Sequence, residues 1–235
     1  MEKRLEFMLG RKSELDYNVV KISNEYVKEW ILNKHYAKRT CSISFAYGLF
    51  DSKDELVGVC TFGYPPNYNF NKGKCVFNKY EVLTLELNRL ITNDGLEPNA
   101  LSYFVSQSLK QLPQPSCIVS YADPNSGHYG YIYQATNWIY TGNSTVKHKY
   151  HFEDGTTFDI RRGLDKKIEE HGQVVKKEKL IPTQRYIYFN GNKREKREMQ
   201  KHFKMKNLPY PKGQNRKYDA SYQCEIVTLN EIKEE

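Results

Sequence analysis

Two neighbouring apolar runs restrict the fold of this chain most. The runs SISFAYGLFD and ELVGVCTFGYPP are rich in aromatic and β-branched residues, and the polar residues from Asp51 to Asp54 link them. A polar link of this length between two strand-forming runs is typical of a β-hairpin. We therefore expect an antiparallel pair of strands early in the fold.

The patterns on either side of this hairpin extend it into an α+β domain. Residues 18–34 predict a short strand and an amphipathic helix, VLTLELNRLITND a longer strand, and EPNALSYFVSQSLKQL a helix. CIVSYAD predicts a short buried strand, HYGYIYQATNWI a helix that ends near Gly142, and TVKHKYHFEDGTTFDI a second hairpin. The order β-α-β-β-β-α-β-α-β-β predicts a mostly antiparallel central sheet flanked by helices.

The net charge of +8 is confined to the last third of the chain. Residues 1–160 carry 17 basic and 17 acidic residues, whereas residues 161–235 carry 19 and 11. We expect one domain over 1–160 and a basic extension over 161–235, and a neutral body with a basic tail suggests a polyanionic partner. The candidate phosphate contacts are Lys193, Arg194, Lys196, Arg197, Lys201 and Lys204. The alternative is a solvated helix face.

Several protein classes are excluded. No apolar run approaches the roughly 18 residues of a membrane span. The N-terminal segment MEKRLEFMLGRKSELD is charged and has no apolar signal-peptide core. The five cysteines form no CxxC pair. We expect a cytoplasmic protein with reduced thiols.

The densest group of polar and aromatic residues spans 120–142, SYADPNSGHYGYIYQATNWIYTG. A strand that ends at Ser120 and Asp123, followed by a glycine-containing turn and a helix, brings polar side chains and free backbone N–H groups together. The alternative is an Asx turn at Asp123 beside core aromatics.

Two further positions are candidates. His35 and Tyr36 stand at a predicted helix end, where the histidine is either a general base or metal ligand, or only a C-cap partner. Strand alternation places Glu86 and Asn88 on one face and Arg89 on the other. In an apolar strand Arg89 needs an anionic partner, either a carboxylate such as Asp123 or a ligand phosphate.

These residues carry a resemblance to a known family. The motifs NKHYAKR, LVGVCTFGYPP, LELNRLITND and SYADPNSGHYGYIYQATNWIYTG resemble the Mom family of bacteriophage DNA-modification proteins, and the topology resembles the GNAT acyltransferase fold. The resemblance covers about residues 18–160. It implies a phage-encoded transferase that converts adenine in double-stranded DNA to N6-(carbamoylmethyl)adenine and protects the phage genome from host restriction enzymes.

The resemblance also implies site residues. It places His35, Tyr36, Ser120, Asp123 and Tyr131 in the catalytic site, together with Arg89. The candidates for binding the substrate or the donor are Arg89, Asn88, Tyr64, Gly127 and Gln134. The target adenine must leave the base stack, because its N6 is hydrogen-bonded in the duplex.

The donor and any metal stay open at this point. GNAT enzymes bind coenzyme A with a glycine-rich loop, but the matching stretch, residues 93–99, has one glycine and two carboxylates. The donor is therefore either acetyl-CoA, by analogy with the fold, or a glycine derivative. His35, Asp123 and His128 could form an iron site of two histidines and a carboxylate. The alternative is metal-free, with His35 or Asp123 as the base toward the adenine N6 and Tyr36 or Tyr131 orienting it.

Two other functions compete with DNA modification. One is a GNAT-like N-acyltransferase that acts on a small-molecule or protein amine, which an intact coenzyme A loop would favour. The other is a DNA-binding protein without catalytic activity, for which His35, Arg89 and Asp123 would be dispensable.

Overall fold

The computed structural model describes residues 16–66, 70, 73–160, 163–213 and 222–233. The strands are β1 (Asn18–Lys21), β2 (Phe45–Phe50), β3 (Leu56–Gly63), β4 (Leu83–Thr92), β5 (Ser116–Ala122), β6 (Ile139–Asn143), β7 (His148–Phe152), β8 (Thr157–Ile160), β9 (Val174–Lys179) and β10 (Gln184–Asn190). The helices are α1 (Asn24–Glu29), α2 (Ala100–Gln111), α3 (Tyr131–Ala135), α4 (Leu164–His171), α5 (Lys193–His202) and α6 (Leu229–Lys233). A π-helical turn (Trp30–Lys34) continues α1, and a 3-10 turn (Pro124–Ser126) follows β5.

The main sheet confirms the α+β class. Within the described ranges it has seven strands in the order β1-β2-β3-β4-β5-β10-β6. Every neighbouring pair is antiparallel except β4 and β5. The expected hairpin is β2 and β3, with Phe45 opposite Phe62 and Leu49 opposite Gly58. Helices cover both faces of the sheet, as a mostly antiparallel sheet with apolar residues on both faces requires.

The two central parallel strands diverge after a short paired stretch. β4 and β5 pair only from Leu83–Glu86 to Ser116–Val119, although β4 continues to Thr92 and β5 to Ala122. Beyond Glu86 the backbone of each strand no longer has the other as its hydrogen-bonding neighbour. This divergence opens a gap in the middle of the sheet, at the carboxyl ends of both strands.

A bulge in β4 changes which side chains reach that gap. The register with β3 runs from Thr61 opposite Arg89 to Phe62 opposite Leu87, so Asn88 is the extra residue. A bulge reverses the alternation of side chains beyond it. The sequence placed Glu86 and Arg89 on opposite faces of the strand. That prediction is wrong, because both side chains line the same cavity.

One strand after residue 160, β10, is part of the same sheet. β10 lies between β5 and β6, with Gln184 opposite Ala122 and Asn190 opposite Ser116. Its residues Tyr186 and Ile187 are fully buried, and Leu229 of α6 packs into the core beneath β1 to β3. The division expected at residue 160 follows the charge distribution, whereas the core extends across it.

The stretch from 131 to 143 also differs from the expected single helix. α3 ends at Ala135, because Asn137 adopts a left-handed conformation with φ of 60°. Residues Ile139–Asn143 then form β6 and pair with β10. The apolar run that suggested a longer helix is instead an edge strand, whose pairing with a distant segment overrides local helix propensity.

A small second sheet is inserted between β6 and β10. Its order is β8-β7-β9, and the expected hairpin around Asp154 and Gly155 forms β7 and β8. The strap before β7 carries Lys147 to the wall of the central gap. Among the helices of the described part of the chain, none is long and apolar enough to cross a membrane.

Candidate active site

The gap between β4 and β5 is a cavity of about 1270 Å³. Its walls come from the two strands, from the turn after α1, from the 3-10 turn after β5 and from α3. Its lining includes His35, Tyr36, Arg39, Glu86, Arg89, Ser120, Asp123, His128, Tyr131, Tyr133 and Lys147. Most of the candidates that the sequence named therefore come together.

Arg89 is held in place by backbone carbonyls. Its Nη1 donates to the carbonyl of Asn88 at 2.6 Å, and its Nη2 donates to the carbonyl of Arg39 at 2.9 Å. Its Nε is buried without a hydrogen-bond partner, and no carboxylate of the described residues forms an ion pair with it. The sequence analysis expected either a protein carboxylate or a ligand phosphate as the partner of Arg89. Since no described carboxylate pairs with it, the guanidinium can bind an anionic ligand.

Glu86 is a site residue that the sequence analysis did not select. Burial raises the pKa of its carboxyl to about 7, although the nearby charges of Arg89 and Lys147 act in the opposite direction. A carboxyl with this pKa exchanges a proton close to neutral pH, as a general base must. The signal in the sequence was an acidic residue within an otherwise apolar central strand.

His35 is buried and electrically neutral. Its Nδ1 accepts a hydrogen bond from the backbone N–H of Ala37 at 3.0 Å, so the ring proton is on Nε2. Burial lowers the pKa of His35 to about 3, helped by the positive charge of Arg89 and by His128 and Arg39. His35 therefore presents a hydrogen-bond donor to the cavity, and this geometry does not support the base role considered for it.

Tyr36 contacts two imidazole rings. Its ring centroid is 4.2 Å from that of His35 and 5.3 Å from that of His128. Burial and the charge of Asp123 raise the pKa of Tyr36, so its phenol keeps its proton at neutral pH. The three rings form one wall of the cavity with hydrogen-bonding groups along its edge.

Ser120 bridges the point where the two strands part. Its Oγ donates to the carbonyl of Leu87 across the gap at 2.8 Å, and it is hydrogen-bonded to the hydroxyl of Tyr133 at 2.7 Å. Tyr133 is the tyrosine at the apex of the cavity. Tyr131, which the sequence analysis selected, is 44% exposed at the rim, and its hydroxyl donates to the carbonyl of Gly213.

Asp123 ends β5 and also forms the expected Asx turn. Its Oδ1 accepts from the backbone N–H and from the side-chain amide of Asn125, at 3.0 and 2.8 Å. Its backbone carbonyl accepts from the N–H groups of Ser126 and His128, which folds the loop back over the cavity. The two predictions made for Asp123 from the sequence are thus compatible, because it both caps the turn and lines the cavity.

Four other candidates have mainly structural positions. The side-chain amide of Asn88 donates to the carbonyl of Ser42, and its oxygen accepts from Thr61. Gln134 donates to the carbonyl of Tyr129 and to the hydroxyl of Tyr186. Two more, Tyr64 and Gly127, lie outside the cavity lining, and Tyr64 is 51% exposed. Only Asn88 of these four borders the cavity.

The residues do not form the metal site that was considered. Across the described ranges, no group of three or more His, Cys, Asp or Glu side chains is arranged to hold a metal ion. The rings of His35 and His128 both contact the Tyr36 ring, and Nδ1 of His35 is already engaged by Ala37. This donor set does not fit iron, and we derive no step through a metal.

The loop after β4 does not fit the pyrophosphate of coenzyme A. Within residues 93–99 only Gly95 is a glycine, and Asp94 contributes a carboxylate to the cavity wall. Asn99, which precedes α2, is left-handed with φ of 72° and makes no side-chain cap. The loop therefore lacks the run of glycines with which GNAT enzymes bind coenzyme A.

The basic residues of α5 lie away from the cavity. Its N-terminus has a capping box between Asn192 and Glu195, and its buried residue Met199 anchors it to the sheet. The six predicted phosphate contacts are on this helix or directly after it. Of these residues, Lys201 pairs with Glu198, and Lys204 donates to the carbonyl of Lys74.

Comparison with known proteins identifies relatives of this chain. The model of the Mom protein family matches residues 16–212. The methylcarbamoylase mom of Escherichia phage Mu is 31% identical over 193 residues, which are 77% of this chain and 78% of that protein.

Two solved structures are also similar. The first is a spermidine N-acetyltransferase from Vibrio cholerae, with a TM-score of 0.42 and 8% identity, and the match covers 74% of this chain and 94% of that one. The second is Arabidopsis thaliana NAA60 in complex with a bisubstrate analogue, with a TM-score of 0.43 and 11% identity, and the match covers 75% of this chain and 99% of that one. Both TM-scores are below 0.5.

Proposed function

Because this chain belongs to the Mom protein family, we propose that it is a phage-encoded transferase that modifies adenine in double-stranded DNA. The product we propose is N6-(carbamoylmethyl)adenine, formed in the host cytoplasm, where it would protect phage DNA from restriction. The relative from phage Mu is named a methylcarbamoylase, a name that denotes transfer of a carbamoyl-containing group.

One observation carries the proposal at the level of chemistry. The cavity holds a carboxyl whose pKa is about 7, Glu86, close to a guanidinium without a carboxylate partner, Arg89. A general base and an anion-binding group in one cavity are what a transfer to an amine requires. The exocyclic N6 of adenine is such an amine, but only when the base is unpaired.

The cavity suits an extruded base. The Watson–Crick edge of a paired adenine is engaged in the duplex, so the nucleotide must rotate out of the stack before N6 can react. The ring of Tyr36 lies beside that of His35 on this wall, with 4.2 Å between the ring centroids. We propose that this wall receives the adenine.

The transfer itself then needs three functions from the protein. As the bond forms between N6 and the donor carbon, the bond between that carbon and the leaving group breaks, and the leaving group keeps the electron pair. One proton of N6 passes to the carboxylate of Glu86. We propose that Arg89 stabilises the negative charge of the donor and that Nε2–H of His35 donates a hydrogen bond to it.

For the donor we propose a glycine derivative over acetyl-CoA. The carbamoylmethyl group joins N6 to a CH2, and direct acyl transfer from acetyl-CoA would instead join N6 to a carbonyl carbon. In a glycine amide the CH2 already carries the carboxamide, so attack of N6 on the CH2 breaks its bond to the α-nitrogen group, which leaves with the electron pair. The carboxylates of the loop over residues 93–99 also weigh against a pyrophosphate. Growth on ¹³C-glycine or ¹³C-acetate distinguishes the two donors by which of them labels the modified nucleoside.

The test is mass spectrometry of nucleosides from plasmid DNA in bacteria that express the protein. We expect an adenine nucleoside that is heavier by one carbamoylmethyl group in place of one hydrogen. DNA with only ordinary adenine, from cells in which the wild-type protein is folded and soluble, would reject the proposal. An acylated small-molecule or protein amine in those cells would then favour the acyltransferase alternative.

A further inference from the structure

A second concave surface lies on the far side of α3 from the active-site cavity. It is a groove of about 490 Å³ between α5 and the edge of β10. β6 pairs with β10 only as far as Ile187, so the edge from Tyr188 onward is not covered by a strand. The turn after α3, Thr136 and Asn137, closes the other side of the groove.

The wall that α5 contributes is cationic along one helical stripe. Lys193, Lys196, Arg197 and Gln200 line the groove, at spacings of three, four and seven residues from the first. Side chains at these spacings share one face of a helix. On most surface helices that stripe is apolar and packs on the core, whereas here the core contact is made by Met199.

The acidic residues of α5 are engaged elsewhere. Glu195 accepts from the backbone N–H of Asn192 in the capping box, and Glu198 pairs with Lys201 and His202. The described carboxylates form no ion pair with the three cations of the stripe. No acidic residue lines the groove.

One of the three cations is held in position by aromatic rings. The Nζ of Lys196 lies over the Tyr188 ring at 5.2 Å from its centroid. The buried ring of Trp138 packs against Tyr188 from behind, with 5.5 Å between centroids. A cation–π contact of this kind restricts a flexible lysine, so less entropy is lost when the ammonium binds an anion.

The groove is close to the cavity along two elements. Ala135 at the end of α3 lines the cavity, and the next residue, Thr136, lines the groove. On β10, Arg185 lines the cavity and Ile187 lines the groove, a separation of about 7 Å along a strand. That length corresponds to about two nucleotides of rise along one DNA strand.

We propose that this groove binds the phosphates of the DNA strand that flanks the extruded adenine. The inference rests on the proposed function for its ligand, because it takes DNA to be the substrate. Lys193, Lys196 and Arg197 contact phosphates, and the amides of Asn137 and Gln200 are placed to donate to the same backbone. α3 then separates the bound backbone from the nucleotide in the cavity.

The test measures binding of a fluorescein-labelled DNA duplex by anisotropy across a range of salt concentrations. The groove variant combines Lys193→Gln, Lys196→Gln and Arg197→Gln. The control variant removes the same charge from exposed lysines far from the groove. It combines Lys28→Gln, Lys53→Gln and Lys110→Gln. In the groove variant, the slope of log affinity against log salt should become shallower by about 2 to 3. In the control variant it should change by less than about 1.

A single substitution covers the case in which the triple variant folds poorly. Gln200→Glu places a carboxylate in the groove at an exposed helix position, and it should weaken binding of the duplex at least about 10-fold in low salt. Equal slopes of log affinity against log salt for the groove and control variants, or unchanged affinity in Gln200→Glu, would overturn the proposal that the groove binds DNA.

Nucleoside analysis keeps the two proposals separate. If the wild-type protein modifies adenine but the groove variant binds DNA normally, the proposal that the groove binds DNA is rejected and the proposed adenine modification is kept. If the groove variant loses DNA binding while the wild-type protein leaves adenine unmodified, DNA binding by the groove is kept and the proposed adenine modification is rejected.

Discussion

Glu86 and Arg89 line the same cavity although they are three residues apart on one strand, because β4 bulges at Asn88 between them. In a regular strand, positions three apart face opposite sides of the sheet. The bulge brings a carboxyl and a guanidinium into mutual influence, and the charge of Arg89 lowers the pKa of Glu86 against the larger effect of burial.

The pH dependence of the reaction should follow Glu86. Its carboxyl must be ionised to accept a proton, so the rate should rise as the pH increases through about 7. Lys147 favours the ionised form, and Lys147→Met should therefore move this limb of the profile to higher pH. Single-turnover rates of DNA modification between pH 5 and 9 give the profile. A limb that stays in place in Lys147→Met would contradict the assignment.

The same carboxyl should make folding stability depend on pH. The pKa of Glu86 rises from 4.5 to about 7 on folding, so the unfolded chain ionises first as the pH increases. Its contribution to stability is complete below pH 4.5 and is lost as the pH rises through 7, a loss of up to about 3 kcal/mol. In Glu86→Gln this loss should be absent. Urea unfolding at pH 5 and pH 8 measures it, and an unchanged difference between the two pH values would refute the shift.

His35 should not titrate in the physiological range. Its pKa is about 3, and its Nδ1 accepts from Ala37, so the ring should remain the Nε2–H tautomer between pH 5 and 8. A long-range ¹H–¹⁵N spectrum of the ring nitrogens reports this tautomer directly. Loss of the donor in His35→Ala should slow DNA modification about 100-fold without moving the pH profile. Titration of His35 near pH 6.5 would instead support a role as base.

The two neighbouring tyrosines should respond differently to loss of the hydroxyl. Tyr133→Phe removes the hydrogen bond to Ser120 at the apex of the cavity and should cost about 1 kcal/mol of stability. Tyr131→Phe, at the exposed rim, should change stability by less than about 0.5 kcal/mol. Thermal unfolding of both variants makes the comparison. A larger loss of stability in Tyr131→Phe than in Tyr133→Phe would contradict the structural role assigned to the Ser120–Tyr133 hydrogen bond.

The C-terminal third should be required for folding as well as for binding DNA. Without residues 161–235, β5 loses β10 as its neighbour and the buried Met199 and Leu229 are absent from the core. We expect the fragment 1–160 to show no cooperative thermal transition by circular dichroism, in contrast to the full chain. A fragment that melts cooperatively would show that residue 160 is a true domain boundary.

The sequence predicted those parts of the fold that depend on local patterns. The β2–β3 hairpin, the long strand β4 and the basic helix α5 were each evident from periodicity and turn residues. The position of β10 inside the sheet was not, because pairing between residues 116–122 and 184–190 depends on contacts far apart in the chain. The charge step near residue 160 therefore resembled a domain boundary.

The candidate site was likewise predicted in part, where motif positions indicated its residues. Motif positions indicated His35, Arg89, Ser120 and Asp123, and all four line one cavity. Glu86 was missed because strand alternation cannot reveal a bulge. Tyr131 was selected from its motif position, and both Tyr131 and Tyr133 line the cavity.

The central claim is that the cavity between β4 and β5 modifies adenine through Glu86. The most direct measurement is nucleoside mass spectrometry of plasmid DNA from cells that express the wild-type protein, Glu86→Gln or Glu81→Gln. Glu81 is an exposed glutamate that precedes the same strand, so it controls for the loss of one carboxylate. We predict N6-(carbamoylmethyl)adenine with the wild-type protein and with Glu81→Gln, and only unmodified adenine with Glu86→Gln. Equal modification by Glu86→Gln and the wild-type protein, with both folded and equally expressed, would contradict the claim.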